Sequence, residues 1–330
     1  MGAVLQKTNP PAAAMLPRIR HVQPPSGALE STAALLLELS LRLFFKPLIG
    51  PPLPVGGQRA VMHALSCLMP PALGVDIRKT SIATPAGALP TERLRTRGTQ
   101  PRRAILFLHG GAFCVGSPRS HRSITTRLAR LTGAEVVAPH YRRTPEAPFP
   151  AQIDDGVAAY RQLLADGYAP SQIALVGDSA GGTLSLLVPQ ALHQLGLPQP
   201  AALVLISPAV DLQGTGASRQ QRASRDPMLR GGWVHQAMAW YAAPAGHPQA
   251  DPLSQDYTSL PPSLVQVGTE EILYDDALQF TKRASAGGAT VELEICERRW
   301  HVFQIHAGLL PGSTRALERQ AEFLLRHWRD

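Results

Sequence analysis

Covalent staples are scarce in this chain of 330 residues. Its three cysteines, Cys67, Cys114 and Cys296, are odd in number and widely spaced. They form no CxxC pair and no metal-ligand cluster, so neither a disulfide framework nor a bound metal is expected. Free thiols suit a reducing, cytoplasmic compartment. Charge is also sparse, at 17% against 44% hydrophobic residues, the reverse of a disordered chain. No apolar run approaches the ~20 residues of a membrane span, and Glu38 and Arg42 interrupt the stretch 33–45. The first 20 residues carry Pro10, Pro11 and Pro17 and no continuous apolar core, so they do not read as a signal peptide. There is no internal repeat, and the 28 glycines and 31 prolines keep no strict period; they mark turns.

The net charge is +8. Such a balance raises the question of nucleic acid. Here the arginines are scattered, with short clusters at Arg93, Arg95 and Arg97 and at Arg102 and Arg103. No recognition-helix pattern or stacking aromatic motif accompanies them. A solvated basic surface is expected, with no nucleic-acid partner.

What is present is alternation. Residues 1–30, rich in Pro and Ala, read as irregular. Residues 31–46 and 58–69 read as helices, each stopped by prolines. Two strands, 75–83 and 89–96, flank the Ala86-Gly87 turn. Short continuous apolar runs follow: AILFL (104–108), EVVA (135–138), IALV (173–176), ALVLI (202–206), SLVQV (263–267) and VELEI (291–295). Such runs suit strands buried on both faces of a mostly parallel sheet. Helices are expected between them at 120–132, 152–165, 180–195, 275–287 and 313–327. This is the pattern of a wound α/β sheet. The segment 211–258 breaks it and reads as an insertion.

The strand IALV runs into GDSAGG, in which Gly177, Ser179 and Gly181 fit G-x-S-x-G. By chance this pattern arises about once in ten chains this long. Between a buried strand and a helix it has a physical meaning. A serine on a sharp strand-to-helix turn exposes its hydroxyl, and flanking glycines avoid a clash at the crossing. HGGAF (109–113) follows AILFL directly. Backbone N–H groups there, with that of Ala180, can stabilise an oxyanion. A serine nucleophile needs a base and an orienting carboxylate. His301, after VELEI, lies in the right order; His193, His235, His247, His306 and His327 fall in helices or the insertion. For the acid, Glu270, Glu271, Asp275 and Asp276 compete in the loop after SLVQV.

Together HGGAF, HYRRTPEAPFPAQIDD (140–155), GDSAGG, SLPPSLVQVGTEEILYDDA and WHVFQ resemble the hormone-sensitive-lipase-like family of α/β-hydrolases, bacterial carboxylesterase branch. The resemblance covers about 75–328. It implies an α/β-hydrolase fold: residues 71–330 as the hydrolase domain, with a helical cap from 1–70 and an insertion at about 211–250. The family's acid-x-Leu-x-Asp-Asp/Glu pattern falls on Glu271, with Asp275 second. The family usually reads HGGG where this chain has Ala112, whose N–H survives. The resemblance thus implies a triad of Ser179, Glu271 and His301. It also implies a hole formed by Gly110, Gly111, Ala112 and Ala180, with Gly110 and Gly111 the safest members. Trp233, Trp240 and Tyr241 would line an acyl or alcohol pocket or pack the cap. Asp178 and Glu146 match supporting polar positions. Cys114, near HGGAF, reads as a small buried hydrophobe or as a thiol near the site.

The function implied is a serine carboxylesterase acting on short-chain acyl esters, with no metal and no cofactor. A lactone hydrolase or small-molecule deacetylase would use the same triad. A catalytically silent binding protein on the same fold would be expected to lack the base. The expected partner is a small-molecule ester, without integral membrane association; a homodimer is compatible with this reading.

Overall fold

The computed structural model describes residues 16–244, 247 and 250–329. Nine strands form one sheet: β1 (Arg18–Val22), β2 (Val75–Thr84), β3 (Gly87–Thr96), β4 (Ala104–Leu108), β5 (Glu135–Pro139), β6 (Ile173–Asp178), β7 (Ala202–Ile206), β8 (Ser263–Gly268) and β9 (Val291–Cys296). Their order is β1-β9-β8-β7-β6-β4-β5-β3-β2. Neighbours from β1 to β5 in that order pair in parallel, while β3 runs antiparallel to both β5 and β2.

The apolar runs are strands because both faces are covered. In β4, Ala104, Leu106 and Leu108 join one core, and Ile105 and Phe107 join the other. The first core is closed by α4 (Ala151–Ala165), α5 (Ala180–Gln194) and α8 (Tyr274–Ala286), through residues such as Tyr160, Leu184 and Phe280. The second is closed by α3 (Arg122–Thr132) and α9 (Pro311–His327), through Ile124, Leu128 and Phe323. Side chains two apart along a strand share a face, so one run feeds both layers.

The N-terminal expectation is corrected in part. Residues 1–15 lie outside the described residues, but 18–22 are not irregular: RIRHV is an edge strand parallel to β9. The first helix, α1 (Ala28–Ser40), starts earlier than expected and passes into a π-helical turn over Leu41–Phe45. Next comes α2 (Val55–Ser66). The insertion contains α6 (Ser218–Gln221) and α7 (Gly231–Tyr241).

These off-pattern regions meet in a third apolar cluster. It joins Leu41, Phe45 and Ile49 to Leu229, Trp233 and Ala237, and reaches Cys114, Trp300 and Phe303 of the main body. Polar ties run the same way: Arg230 Nη2 donates to Ile49 O at 2.7 Å, and Arg42 Nη1 to Ser224 O at 2.9 Å. No helix among the described residues is long and apolar enough to cross a membrane.

Candidate active site

Ser179 ends the turn between β6 and α5 with φ +53° and ψ −120°. The left-handed region costs a side chain of order 1–3 kcal/mol, and the crowding around it shows what holds the strain. A Cβ on Gly177 would lie 2.2 Å from Gly181 O, and one on Gly181 would lie 1.9 Å from Leu108 O. The two glycines are the only residue type that lets β6, α5 and β4 approach this closely.

Glu271 lies in the loop after β8, and His301 in the loop after β9. His301 Nδ1–H donates to Glu271 Oε2 at 2.8 Å. The other carboxylate oxygen accepts from Gly268 N at 2.6 Å and from Ser207 Oγ at 2.9 Å. Asp275, the second candidate acid, points elsewhere: its Oδ2 accepts from Ser218 N in the insertion at 2.8 Å. Asp276 accepts from Val210 N, Asp211 N and Arg219, and burial pushes its carboxyl up to about 7. Burial pulls the His301 pKa down. The hydrogen bond and charge of Glu271, with Asp226 and Asp178 behind, outweigh it and hold the imidazole above its ordinary value.

Ser179 and His301 share the wall of a cavity of about 490 Å³. Gly111, Asp178 and His121 contribute to its floor, while Leu41, Phe44, Phe45, Met62, Leu65 and Trp233 make the rest apolar. Among the described residues no group of three or more His, Cys, Asp or Glu stands in metal-binding arrangement.

The glycine loop is shaped by a buried network. Asp178 Oδ1 accepts from Gly110 N at 2.9 Å, and Oδ2 faces His121 Nε2 at 3.2 Å. His121 Nδ1 faces Ser117 O at 3.1 Å. Asp178 Oδ2 and Ser117 O favour a positive charge on the ring, and Ser120 Oγ also lies 2.9 Å from Nδ1. Burial opposes that charge, and Asp178 and the Ser117 carbonyl overcome it. His109 is a prop: its Nδ1–H donates to Gly110 O at 2.9 Å, and its ring stacks on Tyr141 at 4.1 Å.

A family model described as the alpha/beta hydrolase fold matches residues 105–305. An acetyl-hydrolase of Streptomyces hygroscopicus is 44% identical over 68% of this chain and 76% of its own length. An esterase of Acinetobacter venetianus is 33% identical over 80% of this chain and 87% of its own. The crystal structure of an esterase from the bacterial hormone-sensitive lipase family superposes with TM-score 0.84 at 35% identity, covering 92% of this chain and all of the other.

This chain belongs to the hormone-sensitive-lipase-like α/β-hydrolases. Three expectations about the site of this hydrolase need correction. Gly110 is not a free oxyanion donor, because its N–H is spent on Asp178. Its neighbours differ: among the described residues the N–H groups of Gly111 and Ala112 have no acceptor. The N–H of Ala180, in the first turn of α5, lacks an intrahelical one. Tyr241 does not line the cavity. It is buried against Phe113 of the glycine loop, rings stacked at 4.0 Å. Trp240 does not line it either. It packs on the third cluster, while Trp233, two turns before Tyr241 on the buried face of α7, reaches the cavity. Cys114 is fully buried, and burial pushes its thiol up to about 12.

Three residues of this hydrolase escaped sequence reasoning. Ser207 adopts φ +46° just after β7 and so turns its hydroxyl onto Glu271. Asp226, from the insertion, accepts from Ile272 N at 3.0 Å and fastens the insertion to the acid loop. His121 partners Asp178. Only the positions of Ser207 and Asp178 beside strand ends carried any signal.

Ala112 sits at φ +50°, where glycine is at ease. Relief of about 1–2 kcal/mol of left-handed strain, less the entropy glycine loses on folding, makes Ala112→Gly stabilising by about 0.5–1 kcal/mol. Thermal unfolding checks this, with hydrolysis expected to persist.

Proposed function

We propose that Ser179, His301 and Glu271 form the catalytic triad of this carboxylic ester hydrolase. Gly111, Ala112 and Ala180 supply the oxyanion hole. The carrying observation is the Glu271–His301 hydrogen bond at 2.8 Å on the wall of the cavity that Ser179 shares. With Nδ1–H committed to Glu271, neutral His301 keeps its lone pair on Nε2 for the serine proton.

Ser179 Oγ attacks the ester carbonyl as His301 takes its proton. The carbonyl oxygen becomes an oxyanion facing the N–H groups, where each donor contributes about 3 kcal/mol. His301 returns the proton to the departing alcohol. Water, deprotonated by His301, then attacks the acyl-enzyme and releases the acid and Ser179.

The substrate we infer is a short-chain acyl ester. The apolar cavity supports it, and the name acetyl-hydrolase carried by one relative supports short acyl groups, acetyl among them. Residues 1–15 of the expected cap segment lie outside the described residues and 18–22 belong to the sheet, so residues 28–66 and the described part of the insertion at about 211–250 are read as the cap that closes this cavity, Trp233 contributing from α7. The cytoplasm is the proposed compartment, supported by three free cysteines, two of them buried.

The test is hydrolysis of p-nitrophenyl esters from acetyl to palmitoyl, with fluorophosphonate labelling in parallel. Rates are expected to peak at short chains and fall once the chain outgrows the cavity. Rapid labelling should map to Ser179. A folded protein that neither hydrolyses nor labels would overturn the reading.

A further inference from the structure

Beside the serine cavity lies a second hollow of about 530 Å³, and Met62 of α2 lines both. Its other walls come from α2, the β2–β3 hairpin, residues 116–119, the start of α3, His140 and Arg143. Its character is opposite to that of the serine cavity. Five cationic side chains line it, against one carboxylate, Glu92.

The pairing leaves a surplus. Glu92 is clasped by Arg122 at 2.6 and 2.9 Å. Arg59 is bidentate on Glu146, at 2.7 Å to each oxygen. Among the described residues, Lys79, Arg119 and Arg143 have no carboxylate partner. Lys79 and Arg119 are exposed, where water solvates them. Arg143 is half-buried, and its one hydrogen bond runs from Nη1 to Gly116 O at 2.8 Å. Burial and the neighbouring Arg59 lower its pKa, and Glu146, already clasped by Arg59, offsets this only in part. His140 lines the same hollow, and its buried Nε2 has no hydrogen-bond partner. Burial, Arg143 and Arg59 push its pKa down to about 4, so it stays neutral. A partly buried cation without an anion is costly, and the cost is recovered when one binds.

We propose that this hollow binds an anionic group of the phosphate or carboxylate class, with Arg143 as its anchor and Lys79 and Arg119 at its mouth. The guanidinium fork offers N–H pairs that match such oxygens in two-point contact. The anion is either part of the ester substrate, reaching past Met62, or a free ion. The first case rests on the esterase reading; the second does not.

Calorimetric titration of the full chain with inorganic phosphate at low ionic strength tests the site. Saturable binding is expected, weakened about tenfold or more in Arg143→Leu and partly restored in Arg143→Lys. The exposed double variant Lys79→Gln/Arg119→Gln should weaken it and reduce its salt dependence. That double variant carries the test if Arg143→Leu does not fold. No saturable binding, or equal binding in every variant, overturns the proposal.

Kinetics then separate the sources. Mono-p-nitrophenyl glutarate carries a terminal carboxylate that p-nitrophenyl butyrate lacks. A preference for the glutarate that Arg143→Leu removes, with butyrate turnover unchanged, assigns the anion to the substrate. Phosphate binding without that preference assigns a free ion. A protein that binds phosphate and hydrolyses neither ester keeps the site and loses the esterase reading.

Discussion

Ser179→Ala is expected to lower kcat by about 10⁶-fold. No substitute nucleophile stands ready among the described residues of the cavity. The hydroxyls of Ser40 and Ser66 donate to Leu37 O and His63 O within their own helices. Ser120 donates to Ser117 O at 2.8 Å and lies 2.9 Å from His121 Nδ1, whose ring the Asp178 charge biases toward the protonated form, a poor base. Alanine keeps the Cβ and the strained φ of +53°, so neither the turn nor its cost changes. Circular dichroism and the thermal midpoint should match the wild type while p-nitrophenyl butyrate hydrolysis disappears. Retention of wild-type turnover would remove Ser179 from the mechanism.

Glu271→Gln is the second large effect, at about 10⁴-fold in kcat. The reason is orientation as much as charge. Gly268 N–H and Ser207 O–H both need an acceptor where Oε1 now sits. The amide oxygen must take that place. The NH₂ group then faces His301 Nδ1, which turns the ring into the tautomer with Nδ1 unprotonated. Its Nε2 carries the proton and cannot accept that of Ser179. Asp275→Asn is the contrast: Asp275 meets Ser218 of the insertion, so the triad chemistry should survive.

The pH profile follows from the same pair. Only neutral His301 acts as base, so activity is present above its pKa and lost as pH falls through it. Glu271, Asp226 and Asp178 together hold that pKa above the ordinary histidine value. The acid limb of kcat/KM is therefore expected above about 6.5. Removing the Glu271 charge leaves burial dominant and should shift the limb to lower pH. An unchanged limb in Glu271→Gln would mean that another carboxylate sets it.

The strands that carry this site were legible because burial on both faces forces continuous apolar runs, as in AILFL and ALVLI. The nucleophile turn was legible for a similarly local reason: close approach of three backbones tolerates glycine alone, and that leaves the mark G-x-S-x-G. Strand β1 left no such mark. RIRHV is mostly exposed, and its place comes from backbone hydrogen bonds to β9, which any sequence can make. In the glycine loop Gly110 and Gly111 were read as the safest donors because a glycine backbone can approach the substrate most closely. Asp178, a neighbour only in space, takes the N–H of Gly110 and leaves the next two free.

By itself, then, the sequence determined the order of the strands from β2 to β9 and of the helices between them, the serine on its turn, the histidine after the last strand and the family to which the chain belongs. These rest on local patterns of burial, turn geometry and chain order. Residue types alone left four neighbouring carboxylates open and the family resemblance pointed to Glu271; the tertiary structure aims Glu271 at His301 and turns Asp275 and Asp276 toward the insertion. It alone decided that Trp233 reaches the cavity while Tyr241 braces Phe113, because that depends on which face of α7 meets the body. And it alone gathered Lys79, Arg119 and Arg143 from distant parts of the chain, where scattered arginines in sequence become one cationic hollow in space.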